Sequence, residues 1–315
     1  MKRHKICKII FAILAVFLCV AFYELIGICI TYKKQPAVSD ATIKETQNIM
    51  SVAGRENTER AVIIEKNSQA LLERVRLIQN AKDEIILSTF AFKSDESGKL
   101  ILGALHDAAD RGVHVRILVD GMESWIDMEG NPYFYGLSSH ENVEIKLYNK
   151  ANPLKPWKTM GRMHDKYLIA DGKIYILGGR NTYNYFLGDF PGHKNFDRDV
   201  LVVCDEPQKD NSVNQLWNYF ETIWEQEDCR YFHNSKKLAD RQSVKKAVLE
   251  LQEGYQQYFE VNKEKICDTD YADETFETEK ITLLSNPIHT QAKEPVVWYQ
   301  LGELMKNAKE RVKIH

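Results

Sequence analysis

The sequence predicts an α/β fold preceded by a transmembrane helix, and three features carry that expectation. Two apolar runs, Glu84–Phe92 (EIILSTFAF) and Val113–Gly121 (VHVRILVDG), bracket a segment with helical periodicity. Strand, helix and strand at this spacing form a βαβ unit, whose crossover makes the two strands parallel. Further runs of strand length, NVEIKLYN at residues 142–149 and DVLVVCD at Asp199–Asp205, recur among helix-like segments. Finally, Ile9–Ile30 is apolar except for Glu24 and stands apart from the rest.

That segment is the first element. Its 22 residues extend about 33 Å at helical rise, the thickness of a bilayer's hydrocarbon core. A cleaved signal peptide is the alternative, with Cys19-Val20-Ala21 as its cleavage site. The apolar run continues well past that site, which favours a retained anchor. Neither Cys19 nor Cys29 follows a small residue, which argues against a lipid-modified cysteine. Basic charge is heavier before the segment than after it. This puts the N-terminus in the cytoplasm and the body outside, against the pull of Lys33 and Lys34.

Residues 35–58 are polar and mixed, a tether. Ser68 is placed as the cap of a helix carrying Leu71, Leu72, Val75, Leu77 and Ile78. Beyond the strand at Glu84, Ser97-Gly98 opens a helix with Leu100, Leu102, Leu105 and Ala109 on one face, closed at Arg111-Gly112. Met122–Met160 is less regular. Its aromatics (Trp125, Tyr133, Phe134, Tyr135, Trp157) either fill space in loops, the commoner use, or line a pocket mouth or touch lipid. After the strand at Asp199 come helices at Asn211–Gln226 and, longer and charged, around Lys236–Glu264. Near the C-terminus YQLGELMKNAKERVKI echoes LLERVRLIQNAKDEIIL, matching Asn307-Ala308-Lys309 to Asn80-Ala81-Lys82 at an offset of 227 residues. That is an internal repeat, and its counterpart of His164 would fall near position 391, beyond the 315 residues.

Composition narrows the classes. A hydrophobic content of 44% supports a real core, and 28% charged residues excludes a wholly membrane-embedded chain. Residues 1–34 hold six basic side chains against Glu24, or +5, which leaves −8 for the remainder of a chain of net charge −3. An acidic body suits a nucleic-acid polyanion poorly, because such binding rests on many Lys and Arg contacts. Of the six cysteines, Cys7, Cys19 and Cys29 lie in or beside the apolar segment, and Cys204, Cys229 and Cys267 are scattered. No Cys-x-x-Cys pair or metal-like spacing occurs, so they read as isolated thiols.

The chemistry concentrates in MHDKYLIADGKIYILGGRN, residues 163–181. Asp171-Gly172 between two apolar runs marks a two-residue β-hairpin turn. In that register Ala170 faces Lys173, Lys166 faces Leu177 and His164 faces Gly179. Alternation then puts His164, Lys166 and Asn181 on one face. Gly179 leaves space beside the imidazole, so the hairpin offers a nucleophile, a cation and an amide donor around a gap of phosphate size. Taken singly, His164 and Lys166 are a satisfied structural residue and a solvated one. Together with Gly-Gly-x-Asn they are far more specific.

His164-x-Lys166-x4-Asp171-x6-Gly178-Gly179-x-Asn181 resembles the HKD motif of the phospholipase D superfamily. Gly-Gly-Arg-Asn followed by Tyr185-Phe186 is most similar to its bacterial cardiolipin-synthase-like branch. The segments ALLERVRLIQNAKDEIILSTFAF, DESGKLILGALHDAADRGVHVRILVDG and NFDRDVLVV resemble the first half of such enzymes. The likeness covers residues 59–205 and, as the opening of a second half, 280–315. It implies a mixed β-sheet flanked by helices and this order: anchor 1–34, tether 35–58, first HKD repeat 59–210, helical connection 211–279, and the beginning of a second repeat, 280–315. The family has two HKD motifs; this chain has one.

The resemblance also implies roles. His164 attacks phosphorus and becomes a phosphohistidine. Asp199, with Asp197 as second choice, holds the proton on the imidazole's other nitrogen. Lys166 and Asn181 stabilise the non-bridging oxygens. Asp171 sets the turn or shares in catalysis, and Gly178 and Gly179 let backbone approach the phosphate. No metal or organic cofactor is implied. The proton donor for the leaving alcohol is a second histidine, from a missing repeat or a twin chain, since His193 in its Pro-Gly loop and His140 read as surface. The expected activity is phosphatidyl transfer at a membrane surface, exemplified by making cardiolipin from phosphatidylglycerol, with no nucleic acid bound. The alternatives are a phospholipase D-type nuclease working as a homodimer and a half-site fragment without turnover.

Overall fold

The computed structural model describes residues 2–51, 58–207, 209–310 and 312. Its elements in chain order are α1 (Lys2–Tyr32), α2 (Asp40–Ser51), β1 (Glu59–Ile64), α3 (Asn67–Asn80), β2 (Glu84–Thr89), α4 (Glu96–Asp110) and β3 (His114–Asp120). Then follow α5 (Gly121–Asp127), α6 (Pro132–Ser138), β4 (Val143–Tyr148), β5 (Tyr167–Ala170), β6 (Ile174–Gly178) and β7 (Asp199–Cys204). The last are α7 (Ser212–Trp224), β8 (Cys229–Tyr231), α8 (Gln242–Ile266), β9 (Phe276–Glu277) and α9 (Val296–Asn307). The chain forms two compact units. The smaller gathers residues 2–46, 151–162 and 284–307, and the larger holds 47–150 and 163–283.

The larger unit is an α/β layer structure on one nine-stranded sheet, ordered β8-β4-β3-β2-β5-β6-β7-β1-β9. β2, β3 and β4 are parallel, as the βαβ pattern requires. The pairs on either side are antiparallel, so the sheet is mixed. Alternation sorts its faces. Ile85 and Leu87 of β2 and Val115 and Ile117 of β3 enter one apolar cluster with Leu71 and Val75 of α3, Leu105 of α4 and Leu251 of α8. Arg116 sits between Val115 and Ile117 and serves the opposite face. There its guanidinium lies 4.9 Å from the Phe220 ring of α7 and donates to Glu84 at 2.8 Å. Helices thus cover both faces, which is why β2 and β3 read as continuous apolar runs.

Local signals account for most boundaries, with corrections. Asp95 rather than Ser97 caps α4, its carboxylate accepting from the Gly98 N–H at 3.1 Å. Ser68 does not cap α3, which already begins at Asn67 after Lys66. The expected tether contains helix α2, and residues 52–57 lie outside the described residues.

The hairpin register is the largest revision. Ala170 pairs with Ile174 and Tyr167 with Leu177. Asp171 and Gly172 do take the left-handed turn conformation, with φ of 52° and 61°, but Lys173 follows as an extra residue before pairing resumes. Lys166 therefore lies opposite Gly178, whose N–H donates to the Lys166 carbonyl at 3.2 Å. The one-residue shift moves every facing pair predicted from a two-residue loop.

In the smaller unit, α1 contains the one helix among the described residues long and apolar enough to cross a membrane, Lys5–Tyr32. Its large apolar side chains are exposed. The strand expected after Asn307 falls largely on residues 311 and 313–315, which lie outside the described residues.

Candidate active site

One edge of the sheet collects the chemistry. β2 and β3 end there, β6 runs out there, and β5 and β7 begin there. The C-terminal ends of parallel strands are where α/β sheets hold ligands. The residues before β5 are fixed to this edge by Met163. Its N–H donates to Asp120 Oδ2 at 3.1 Å, and its buried thioether meets Ser88 Oγ at 3.5 Å.

His164 and Lys166 lie together in the extended segment just before β5. Lys166 Nζ is 2.9 Å from His164 Nδ1 and donates to the His164 carbonyl at 2.6 Å. The two side chains share a side, as alternation requires. The imidazole is exposed while the ammonium is buried. Phe90, one residue past β2, walls the pair: its ring centroid lies 4.5 Å from the imidazole, edge-on, and 5.3 Å from Lys166 Nζ. Burial against this wall pulls the Lys166 pKa down to about 8, while the nearby carboxylates of Asp165 and Asp197 push it up. Asp165 is itself held by Tyr219 Oη at 2.9 Å. The result is a cation close to its titration point beside an accessible imidazole.

Asn181 reaches the same edge. Its Oδ1 accepts from the Ala91 N–H at 3.2 Å, next to Phe90. The structure brings His164, Lys166 and Asn181 to one place. It separates the other expected residues.

Asp199, first choice to orient the imidazole, is fully buried. Its Oδ2 is 2.9 Å from Arg74 Nη1 and 3.2 Å from Arg180 Nη1. Two guanidiniums hold this carboxylate, which leaves it a structural anion. Asp197, the second choice, is the carboxylate turned toward the site. It packs on Gly179 so closely that a Cβ there would lie 2.0 Å from Oδ2, and its field acts on Lys166. This also corrects the expectation for the glycines. A Cβ on Gly178 would lie 2.0 Å from Asp199 Oδ1, so both glycines make room for carboxylates at the start of β7. The space over Gly179 is filled by Asp197.

Asp171 stands at the far end of the hairpin, roughly 16 Å from Lys166 at strand rise. Its carboxylate accepts from the N–H groups of Lys82, Asp83 and Glu84 at 2.9, 2.8 and 3.0 Å. That ties the turn to the start of β2 and keeps Asp171 out of the cluster. His193 packs on the Tyr185 ring, centroids 5.5 Å apart, and His140 meets Asp110 at 3.2 Å.

Three contributors escape a sequence reading. Arg180, inside Gly-Gly-Arg-Asn, is buried and donates to Asn67 Oδ1, Ile64 O, Glu65 O and Asp197 O. Arg74 looks like a solvated helix residue, yet it closes the pair with Asp199. Phe90 had a usable signal: it stands where an apolar strand run ends, at the edge where α/β sheets hold ligands.

A mixed sheet with a histidine–lysine pair at this edge agrees with the resemblance to the phospholipase D superfamily, whose members are phosphodiesterases and transphosphatidylases, and the chain is similar to that superfamily over part of its length. Residues 75–224 match the family model described as cardiolipin synthase, PLD-like domain. An uncharacterised protein of Helicobacter pylori is 33% identical over 53% of this chain and 35% of its own length. Cardiolipin synthase C of Escherichia coli is 29% identical over 44% of this chain and 31% of its own. The chain thus spans about a third of these curated relatives. Among solved structures, NucT from Helicobacter pylori matches with a TM-score of 0.42 at 17% identity, covering 55% of this chain and 99% of that one.

Proposed function

We propose that the chain is a membrane-anchored phospholipase D-type phosphatidyltransferase acting through a phosphohistidine at His164, with phosphatidylglycerol as the favoured substrate. The observation that carries this reading is the exposed imidazole held 2.9 Å from a buried ammonium. Lys166 donates to Nδ1 in the resting site. A phosphodiester draws the ammonium onto its non-bridging oxygens and frees Nδ1; the ring proton then shifts from Nε2 to Nδ1, and the unprotonated Nε2 attacks phosphorus. Asn181 supplies a further donor to the same oxygens. Asp197 is the carboxylate we assign to accept the hydrogen bond of the ring N–H and to balance the charge that develops. The bond to the leaving alcohol breaks as the histidine–phosphorus bond forms. The proton that alcohol needs comes from a second histidine, on another segment or a second copy.

Apolar α1 and the acidic body support a lipid substrate over nucleic acid. The test is trapping by rapid detergent denaturation at neutral pH on vesicles of phosphate-labelled phosphatidylglycerol, with the wild type and His164→Gln. Base-stable, acid-labile label on the wild type alone is expected. Label trapped equally on His164→Gln, or turnover of single-stranded DNA and none of lipid, overturns the proposal.

A further inference from the structure

The segment Ala151–Arg162 carries Lys155, Lys158 and Arg162 and no acidic residue. It also shows three large apolar side chains to solvent: Leu154 is 77% exposed, Met160 56% and Trp157 37%. Basic and apolar groups crowded into twelve residues make a surface that water alone does not favour. The segment belongs to the same compact unit as α1. Pro156 lies so close to that helix that a Cβ on Gly27 would be 2.5 Å from its Cγ, and Tyr23 Oη donates to the Leu154 carbonyl at 3.0 Å. Gly27 is three residues short of Ile30, where the apolar run ends, or about 4.5 Å by helical rise. The segment is therefore pinned at the depth of the headgroup–acyl boundary. Amphipathic elements lodge their apolar faces there, tryptophan prefers it, and nearby lysines meet anionic lipid.

We infer that Ala151–Arg162 is a membrane-docking segment, seating Leu154, Trp157 and Met160 in the boundary layer of an anionic bilayer with Lys155 and Lys158 at its phosphates. The inference rests on the reading of α1 as a retained anchor. Charge complementarity and continuity with the spanning helix together specify a lipid surface as the occupant. The chain leaves the segment at Arg162 and reaches His164 two residues later.

The test is tryptophan quenching in the full-length chain, reconstituted in nanodiscs of phosphatidylcholine with or without phosphatidylglycerol and doped with shallow-brominated lipid. Co-elution with the discs reports the anchor. The wild type should show a quenchable component that Trp157→Phe lacks. Phosphatidylglycerol should enlarge that component, and Lys155→Glu/Lys158→Glu should return it to the phosphatidylcholine level. Co-elution with equal quenching of wild type and Trp157→Phe, or a component indifferent to phosphatidylglycerol, overturns the docking inference alone. A chain that elutes free of the discs overturns the anchor and the docking together.

Discussion

Lys166 carries its charge where charge is disfavoured. A pKa of about 8 against an ordinary 10.5 means that between those values the unfolded chain binds the proton more than the native one does. The lysine's contribution to stability therefore grows as pH rises through that window, and below about 8 its full cost is present. Lys166→Met should raise Tm at pH 7 while abolishing phosphodiester turnover, with the stability gain shrinking toward pH 10. On the proposed role of protonated Lys166 in holding the substrate oxygens, kcat/KM should fall as pH rises through about 8, and Lys166→Arg should carry that limb upward. A pH profile without the limb removes Lys166 from the substrate.

The two carboxylates near β7 make a sharper contrast. Asp199→Ala would remove the carboxylate that the buried guanidiniums of Arg74 and Arg180 share, at a cost of about 3–5 kcal/mol in chemical denaturation. Asp197→Asn should leave stability nearly intact and lower turnover on the order of 10²-fold. Equal stability losses would mean that both are scaffold. The sequence carried no mark of this division, because Asp197 and Asp199 stand side by side in DRD and their partners lie on β6, α3 and the neighbouring loops.

At the level of elements, the strands were legible because each is a short apolar run bounded by turn or cap residues, as in β2 and β3. The hairpin's existence was legible from Asp-Gly, while its register was not. One extra residue, Lys173, shifts the ladder without altering the apolar pattern on either side. Asp171 belongs to this scale too. Asp171→Ala would leave three backbone N–H groups at the start of β2 without their acceptor; Lys82 and Asp83 are exposed, so water takes its place and the loss should be about 1 kcal/mol. Turnover per folded molecule should be unchanged, and a selective loss of turnover would restore Asp171 to the chemistry. A quieter correspondence joins α3 and α9. Each ends on an asparagine whose Nδ2 donates to the carbonyl four residues back, Arg76 in one and Glu303 in the other, both at 2.8 Å. The Asn-Ala-Lys echo in the sequence thus coincides with the same closing bond.

For the whole molecule, α1 should make the protein behave as integral. Carbonate washing should leave it in the membrane fraction and detergent should extract it, whereas release by carbonate would argue against the anchor. If the N-terminus faces the cytoplasm, a C-terminal tag should be digested by protease added to intact cells. The division into two units was not readable in advance. Three stretches far apart in sequence make up the smaller unit, and no local pattern in residues 151–162 or 284–307 announces a common destination. The candidate nucleophile was legible because histidine, lysine and the Gly-Gly-x-Asn return are spaced along one ribbon. What supports them was hidden because it is assembled from residues scattered along the chain, from Phe90 and Asp120 to Asp197 and Tyr219.

Asp120 shows how few bonds separate the surface from the candidate nucleophile. One carboxylate caps α5 through the N–H groups of Met122 and Glu123 and also grips the N–H of Met163. The exposed face of α5 bears Trp125 and Ile126. A push on that short helix is a pull on the residue before the histidine, so whatever rests on α5 would adjust the aim of the imidazole like a thumb on a lever.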